Sequence, residues 1–516
     1  MNEDYQDYST LSPEVRAQGI LEYQAFLEEP DQTLERHADL LFEQGKLFAA
    51  SEEYQLAIAN FNRAVTIKPD QDAAWFHRGL ALNNLGRYED AIANFDQAVA
   101  IKPDEDATWF YRGTALHDLG RYEDAIASYD QAVAIDPGNY ASWYNRALTL
   151  SNLGHEEEAI ASYDRAVSIE PDSYASWYNR ALTLSNLGHE EEAIASYDRA
   201  VSIDPDSHKA WYNRGNALSD LGRYEEAIAS YNWAVTINPD CHEAWYNQGG
   251  VLSDLGRYEE AIASYDRAVE IKSDKDEAWN NRGFALCNLD RYEEAIASYD
   301  RAIAIKSDKD AAWHYRGVAL FHLKRYEDAI ASYDQSIAIK PDNDGVWYYR
   351  AVALVRLERY EEAIASYDRV VAIKPDKDAA WYHRGTLLYN LGRYEDAIAS
   401  YERTVAINPG DYIAWNNRGL ALVNLGCYED ALESYSRSMV LNPDYDIVWH
   451  NQGIALEALE RYEEAIDSFD RAVRINPRFH EAHYRLNIVL RSLRRYEEAA
   501  SSFKKAIALN PEYGKI

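Results

Sequence analysis

Twelve tryptophans stand 34 residues apart, at positions 75, 109, 143, 177, 211, 245, 279, 313, 347, 381, 415 and 449, and Trp233 alone is out of step. A length of 516 residues would suggest several globular domains, but a fixed internal period overrides that reading. Each stretch of one period is a single supersecondary unit, and the units must stack to bury what they share. Extending the register gives fourteen units, beginning at 38, 72, 106, 140, 174, 208, 242, 276, 310, 344, 378, 412, 446 and 480 and ending at 513. Residues 1–37 form an acidic leader, with a helix expected from Ser12-Pro13 to about Leu27, and 514–516 a short tail.

One unit reads approximately DAAWYNRGxALxNLGRYEEAIASYDRAVAIKPDx; its positions are numbered 1–34 below, with Trp at 4. Apolar or small residues recur at 4, 8 and 11, then at 17, 20, 21, 24, 27 and 28, the spacing of two amphipathic helices. Leu-Gly at 14–15 separates them, and Pro at 32 ends the second. Asp at 33 or 1 is expected to cap the next helix. Gly or Ala at 8 is expected to face Ala at 20, allowing close approach. The aromatic and branched side chains of one hairpin exceed what it can cover alone, so neighbouring hairpins share one continuous core.

The residues Trp at 4, Gly at 8, Leu at 11, Ala at 20, Phe or Tyr at 24, Ala at 27 and Pro at 32 resemble the signature of the tetratricopeptide repeat (TPR). The wording GRYEEAIASYDRAVAIKPD is most similar to bacterial, cyanobacterial-type arrays. The resemblance implies an all-α fold, an α-solenoid in the form of a right-handed superhelix, with first helices lining the concave face. The ends depart from the pattern. Leu41 and His483 stand at the Trp position, and the last unit is basic, with Arg491, Arg494, Arg495, Lys504 and Lys505.

Position 7 is Arg in ten units, where the family usually has a large aliphatic residue. Position 25 is mostly acidic. Asn232 at 25 is followed by Gln248 at 7 of the next unit, and Ser436 by Gln452. Losses coincide only between one unit and its successor, so an inter-unit Arg–carboxylate ladder is expected, for example Asp164 with Arg180.

Position 6 carries Asn145, Asn179, Asn213, Asn247, Asn281, Asn417 and Asn451, and position 5 adds Tyr144, Tyr178, Tyr212 and Tyr246 beside the row. A carboxamide can accept from a peptide N–H and donate to a peptide carbonyl. Such a row resembles the asparagine ladder in the TPR portion of O-linked N-acetylglucosamine transferases, which implies an extended peptide gripped by its backbone. A solvated groove surface that merely tolerates Asn is the other reading. Units starting at 310, 344 and 378 replace Asn with Tyr315, Tyr349 and His383, with Phe321, Val355 and Tyr389 at position 12, a more apolar sector. The basic groups of a carboxylate clamp for chaperone tails are nearly missing from the Asn-bearing units, Lys209 excepted.

The formal net charge of −35 disfavours nucleic acid and anionic membrane as partners. No long apolar run suggests a membrane span, the polar acidic start is unlike a secretory signal, and three scattered cysteines fit a reducing, cytoplasmic setting. The thirteen histidines form no HExxH or zinc-spaced cluster. No catalytic residue, cofactor or metal is therefore expected, since an array of near-copies supplies no single preorganised constellation. The expected function is a non-enzymatic scaffold for a protein or peptide partner. The alternatives are self-association through the basic last unit and service as a targeting subunit for a separate enzyme.

Overall fold

The computed structural model describes residues 8–29 and 33–515, which leaves residues 1–7 and 30–32 of the leader and 516 of the tail outside the described residues. The chain divides into two compact units, Met1–Ile271 and Lys272–Ile516, treated separately below. Among the described residues both are helical and contain no strand. After helix Pro13–Leu27, helices alternate in hairpins, such as Tyr140–Leu153 with Glu156–Ile169 and Asp344–Arg356 with Tyr360–Ile373. First helices of successive hairpins also touch one another, as His208–Asp220 does Tyr174–Asn186. They form the closer-set layer.

Local sequence explains where each helix starts and stops. Side-chain caps come from position 34, one residue away from either expected capping position: Asn139, Ser173, Ser207, Asn343 and Asp411 accept from the first turn of the following helix. The expected Asp at position 1 is already inside the helix, as Asp344 is. At two of the three position-34 lysines the side chain bridges instead to the preceding hairpin: Lys309 Nζ lies 2.7 Å from Asp276 and Lys377 Nζ 2.8 Å from Asp344. Position 15 has positive φ throughout the hairpins. Eight are glycine, and Glu52, Asp290, Lys324, Glu358, Glu460 and Arg494 adopt the same left-handed backbone without it. The turn closes as a Schellman motif, with Arg87 N donating to Leu82 O and Gly86 N to Asn83 O.

The core is built around position 24, not position 4. Tyr163, Tyr197, Tyr333 and Tyr367 are essentially fully buried. The ring edge of the position-24 residue fills the space over Gly at 8: a Cβ on Gly249 would stand 2.7 Å from Tyr265 Cε1, and one on Gly317 2.5 Å from Tyr333 Cε1. Gly at 8 therefore admits an aromatic ring, and Ala at 20 is not the group it meets. The repeated tryptophans are half-buried at the hairpin junctions. Each indole N–H donates to the carbonyl at position 32 of the preceding hairpin, Trp177 to Pro171 at 2.8 Å and Trp313 to Ser307 at 3.1 Å. His483 keeps the bond in the last hairpin, its Nε2 lying 3.2 Å from Pro477 O. An imidazole can supply that donor, whereas Leu41 at the first hairpin cannot.

The arginine ladder is present within both units. Arg146, Arg180 and Arg214 place Nε 2.6–2.7 Å from Asp130, Asp164 and Asp198, and Arg316, Arg350 and Arg384 do the same to Asp300, Asp334 and Asp368. Each arginine also donates Nη1 to a serine at position 23 of its own hairpin, Arg350 to Ser366 at 2.7 Å. At the neutral junction Gln248 donates to Asn232 at 2.7 Å and accepts from Ser264 at 3.1 Å, which keeps the connections without charge.

Candidate peptide-binding surface

The position-6 asparagines sit on first helices, one hairpin apart, and the tyrosines at position 5 are not merely beside them. In the first unit Asn179 Nδ2 donates to Tyr144 Oη of the preceding hairpin at 2.9 Å, and Asn213 to Tyr178 at 3.0 Å. Asn247 donates to Tyr212 at 3.2 Å and to Asn216 Oδ1 at 2.9 Å. Asn145 starts the row differently. The preceding hairpin has Phe110 at position 5, without a hydroxyl, and the amide turns back onto Ala141 O at 2.9 Å. Tyr246, at position 5 of the last hairpin in this unit, is half-buried on the same row. Burial raises the pKa of Tyr144 and Tyr178, while the bond from the following asparagine lowers it. The hydroxyls therefore stay protonated at neutral pH and act as neutral acceptors.

The second unit follows the same rule with different partners. Asn417 donates to Tyr382 Oη at 3.3 Å. Asn451 donates to Asn416 Oδ1 at 3.0 Å, because position 5 there is Asn416. Asn281 stands next to Asn280, whose amide is 3.4 Å from Asn281 Oδ1. Six of the seven row asparagines are half-buried, but Asn451 is only 7% exposed and belongs to the core. Its amide is committed to Asn416 within the stack, and it presents little surface to a ligand. For Asn179 and Asn213 the hydroxyl partner takes one amide proton. Oδ1 accepts no hydrogen bond among the described residues, leaving an acceptor and a second donor held in fixed orientation.

The apolar sector of the second unit is a belt of rings. Tyr315 lies 6.0 Å from Phe284, His314 5.6 Å from Tyr349, and Tyr348 6.1 Å from His383. Tyr349 and Phe284 are each 41% exposed. Tyr389 receives a hydrogen bond from Asn424 at 3.1 Å, and Phe321 packs on Tyr326 at 5.3 Å.

Sequence reading missed a cavity of about 470 Å³ in the first unit, lined by Tyr8, Lys46, Phe76, His77, Leu80 and Tyr111 among others. Lys46 pairs with Glu43 at 2.8 Å and lies over the Tyr8 ring at 5.3 Å. The rings around His77, with Lys46 nearby, push its imidazole pKa down to about 4. The signal was His77 and Tyr111 at position 6, where the following hairpins carry Asn. Among the described residues no group of three or more His, Cys, Asp and Glu is arranged to hold a metal ion, and no helix is long and apolar enough to cross a membrane.

Comparison with known proteins gives four matching families. A Tetratricopeptide repeat profile matches residues 36–106, 78–140, 212–276, 382–446 and 450–513, and a second of the same description matches 116–181. A TPR repeat profile matches 190–222 and 353–392, and one for anaphase-promoting complex, cyclosome, subunit 3 matches 288–370. No curated protein matches the chain. Among solved structures, YrrB, described as a TPR protein with an unusual peptide-binding site, is 22% identical, covering 36% of this chain and 96% of its own, at a TM-score of 0.34. The hetero-tetramer Cut9-Hcn1 is 15% identical over 98% of this chain and 97% of that one, at 0.31. A tetratricopeptide repeat protein from Parabacteroides merdae is 18% identical over 48% and 98%, at 0.35. The first profile alone spans more than half of the 516 residues, on the same helical hairpins that the tryptophan period marks, and the chain belongs to the tetratricopeptide repeat family.

Proposed function

We propose that the chain is a non-enzymatic interaction scaffold whose first-helix layer binds an extended segment of a partner protein through the asparagine row. The observation that carries this reading is the oriented carboxamide. Asn179 and Asn213 are each fixed by the tyrosine of the preceding hairpin with Oδ1 left as an acceptor, one per hairpin. A ligand meeting such a row exchanges backbone hydrogen bonds at each rung and pays little to order the receptor. Recognition of backbone in place of side chains makes the row tolerant of ligand sequence. The contributing residues are Asn145, Asn179, Asn213 and Asn247 with Tyr144, Tyr178, Tyr212 and Tyr246, and in the second unit Asn281 and Asn417.

The test is a peptide-display selection against the intact chain, followed by titration of the selected peptides. Wild type is compared with a variant carrying Ala at 145, 179, 213, 247 and 281. Loss of about 1 kcal/mol at each of several rungs weakens binding by at least tenfold. Tyr144→Phe and Tyr178→Phe remove the orienting bond without removing the amide, and a smaller loss is expected. Affinity unchanged by the fivefold variant, with helicity retained, refutes the reading and leaves the amides as connections between hairpins.

A further inference from the structure

Trp233 is the one tryptophan outside the period, and the structure shows what it replaces. At position 26 most hairpins carry Arg, and in five of them that guanidinium lies over the indole at position 4 of the same hairpin. Arg165 covers Trp143 at 5.8 Å, Arg199 covers Trp177 at 5.8 Å, Arg369 covers Trp347 at 5.7 Å and Arg403 covers Trp381 at 5.7 Å. A second guanidinium, from position 7, meets the same indole, as Arg180 does Trp177 at 5.9 Å. Trp211 keeps the position-7 arginine, Arg214 at 5.8 Å, but its position-26 neighbour is Trp233, stacked on it at 5.8 Å and 22°. Trp233 is 55% exposed.

Two further changes coincide there. Asn232 stands in place of the ladder carboxylate, and Gln248 in place of the arginine that would pair with it. Asn232 and Thr236, on the same helix as Trp233, are exposed and uncharged. The loss of charge does not by itself bring in an aromatic residue. The other neutral junction, Ser436 with Gln452, retains Arg437 at position 26. Three substitutions thus clear the ladder charges from one place and put an indole face there, on a chain of net charge −35.

The geometry points to a docking point for an arginine side chain of a basic partner protein, seated on the outer face of Trp233. The array's own chemistry names the occupant, since ten of the twelve periodic indoles have a guanidinium over the ring. Trp233 moves that face outward by one ring, where the chain has no further guanidinium to cover it among the described residues. The acidic chain draws cationic segments toward the site, and the one arginine beside the ring pair, Arg214, lies over Trp211 and is paired with Asp198 at 2.6 Å. This site lies on a second helix and is separate from the asparagine row.

The test uses Trp233→Gln. Gln97, Gln131 and Gln335 already occupy position 26 in other hairpins, so the substitution keeps both fold and net charge. A fluorescein-labelled nona-arginine peptide is titrated into intact wild type and variant by anisotropy at low and at physiological salt. Cation–π contact at an exposed indole predicts about two- to fivefold tighter binding to wild type, with the ratio preserved as salt weakens both. Trp233→Phe is expected to fall between the two. Equal affinities for wild type and Trp233→Gln overturn the proposal. So does a concentration-dependent mass of the wild type that Trp233→Gln abolishes, because the occupant is then a second copy of this chain.

Discussion

The arginine ladder makes a prediction whose answer is already written at one junction. Arg350 is 17% exposed and bonds Asp334 at 2.6 Å and Ser366 at 2.7 Å, with its guanidinium over Trp347 at 5.8 Å. Asp334 is 48% exposed. Arg350→Gln removes two charge-assisted bonds and the ring contact. Asp334 then rehydrates, and Ser366 keeps its bond to Glu362 O at 2.9 Å, so neither partner is stranded. That limits the cost to about 1–2 kcal/mol. Asp334→Asn keeps an acceptor in place and costs about 0.5 kcal/mol. The double variant recreates the Asn232–Gln248 arrangement, in which glutamine bonds both the asparagine and the serine. It is expected to cost at least about 0.5 kcal/mol less than the sum of the singles.

Hydrogen exchange read by mass spectrometry on the intact chain is the suitable assay, because a long array opens locally and a single unfolding free energy is ill-defined. The segment 336–357 occurs once in the sequence, so peptides that span it can be assigned, unlike those of the duplicated hairpins at 140–207. The adjoining pair, Arg384 with Asp368 at 2.6 Å, is an untouched reference in the same molecule. Additivity of the two singles within about 0.3 kcal/mol would refute the claim that the co-varying positions 7 and 25 exchange energy directly.

Two other expectations follow from the backbone and from a half-buried imidazole. Lys324, at φ 61, and Glu358, at φ 60, sit in the left-handed turn that glycine fills elsewhere, so Lys324→Gly and Glu358→Gly should each raise local stability by about 0.5–1 kcal/mol. Gly256→Ala should lower it by about 1 kcal/mol, although a Cβ there meets nothing within 4 Å; exchange in the flanking helices measures each, and a null result for all three removes conformation as the reason for glycine at position 15. His77 has its pKa depressed to about 4, so the unfolded chain takes up the proton first as pH falls. The contribution of the neutral ring is fully present above about 6.5 and is lost progressively down to about 4, amounting to about 2 kcal/mol at pH 5. His77→Asn, with the residue common at position 6, should flatten that limb in urea titrations at pH 7 and pH 5, and an unaltered pH dependence would refute the assignment.

Spacing in the sequence was enough to place the helices and the turn at position 15. The partner of a ladder arginine needed co-variation, which reports contact without geometry: Asn232 with Gln248 named the pair that Asp164 and Arg180 form at 2.7 Å. What stayed hidden depends on rotation about helix axes. Periodicity says that positions 8, 20 and 24 share a face, but not that the ring of Tyr265 fills the space above Gly249 while Ala261 does not. The bond from Asn179 to Tyr144 spans 35 residues and needs the rise and twist between hairpins. The same missing register left Asn451 among the surface candidates, although its neighbour Asn416 draws it into the core. The capping residue shifted to position 34 for a local reason: a side chain there, just before the helix, reaches the N–H three residues on, as Ser173 does Ser176 N at 3.3 Å, whereas Asp at position 1 reaches only the next N–H, as Asp378 does Ala379 N at 2.8 Å.

The near-identical segments Tyr140–Ser173 and Tyr174–Ser207 show how such an array grows. Each connection joins a fixed position of one hairpin to a fixed position of the next: Trp177 to Pro171, Arg180 to Asp164, Asn179 to Tyr144, and Tyr140 Oη to Ser173 at 2.6 Å. Copying a hairpin copies both halves of every connection, so the insertion leaves no donor stranded, and Tyr174 meets Ser207 at the same 2.6 Å. The connections facing the preceding hairpin differ: Phe110 cannot accept and Asn145 folds back on its own helix, and Thr149 meets His117 where Thr183 meets Ser151. Positions 4, 7, 23, 24 and 25 thus hold the stack, and positions 5 and 6 can vary as matched pairs without loosening it. Function has two ways to enter under that constraint. It can change a pair on the first-helix layer, as we propose for the asparagine–tyrosine rungs. Or it can swap a stacking connection for a neutral equivalent and use the space released, as Asn232 and Gln248 do beside Trp233.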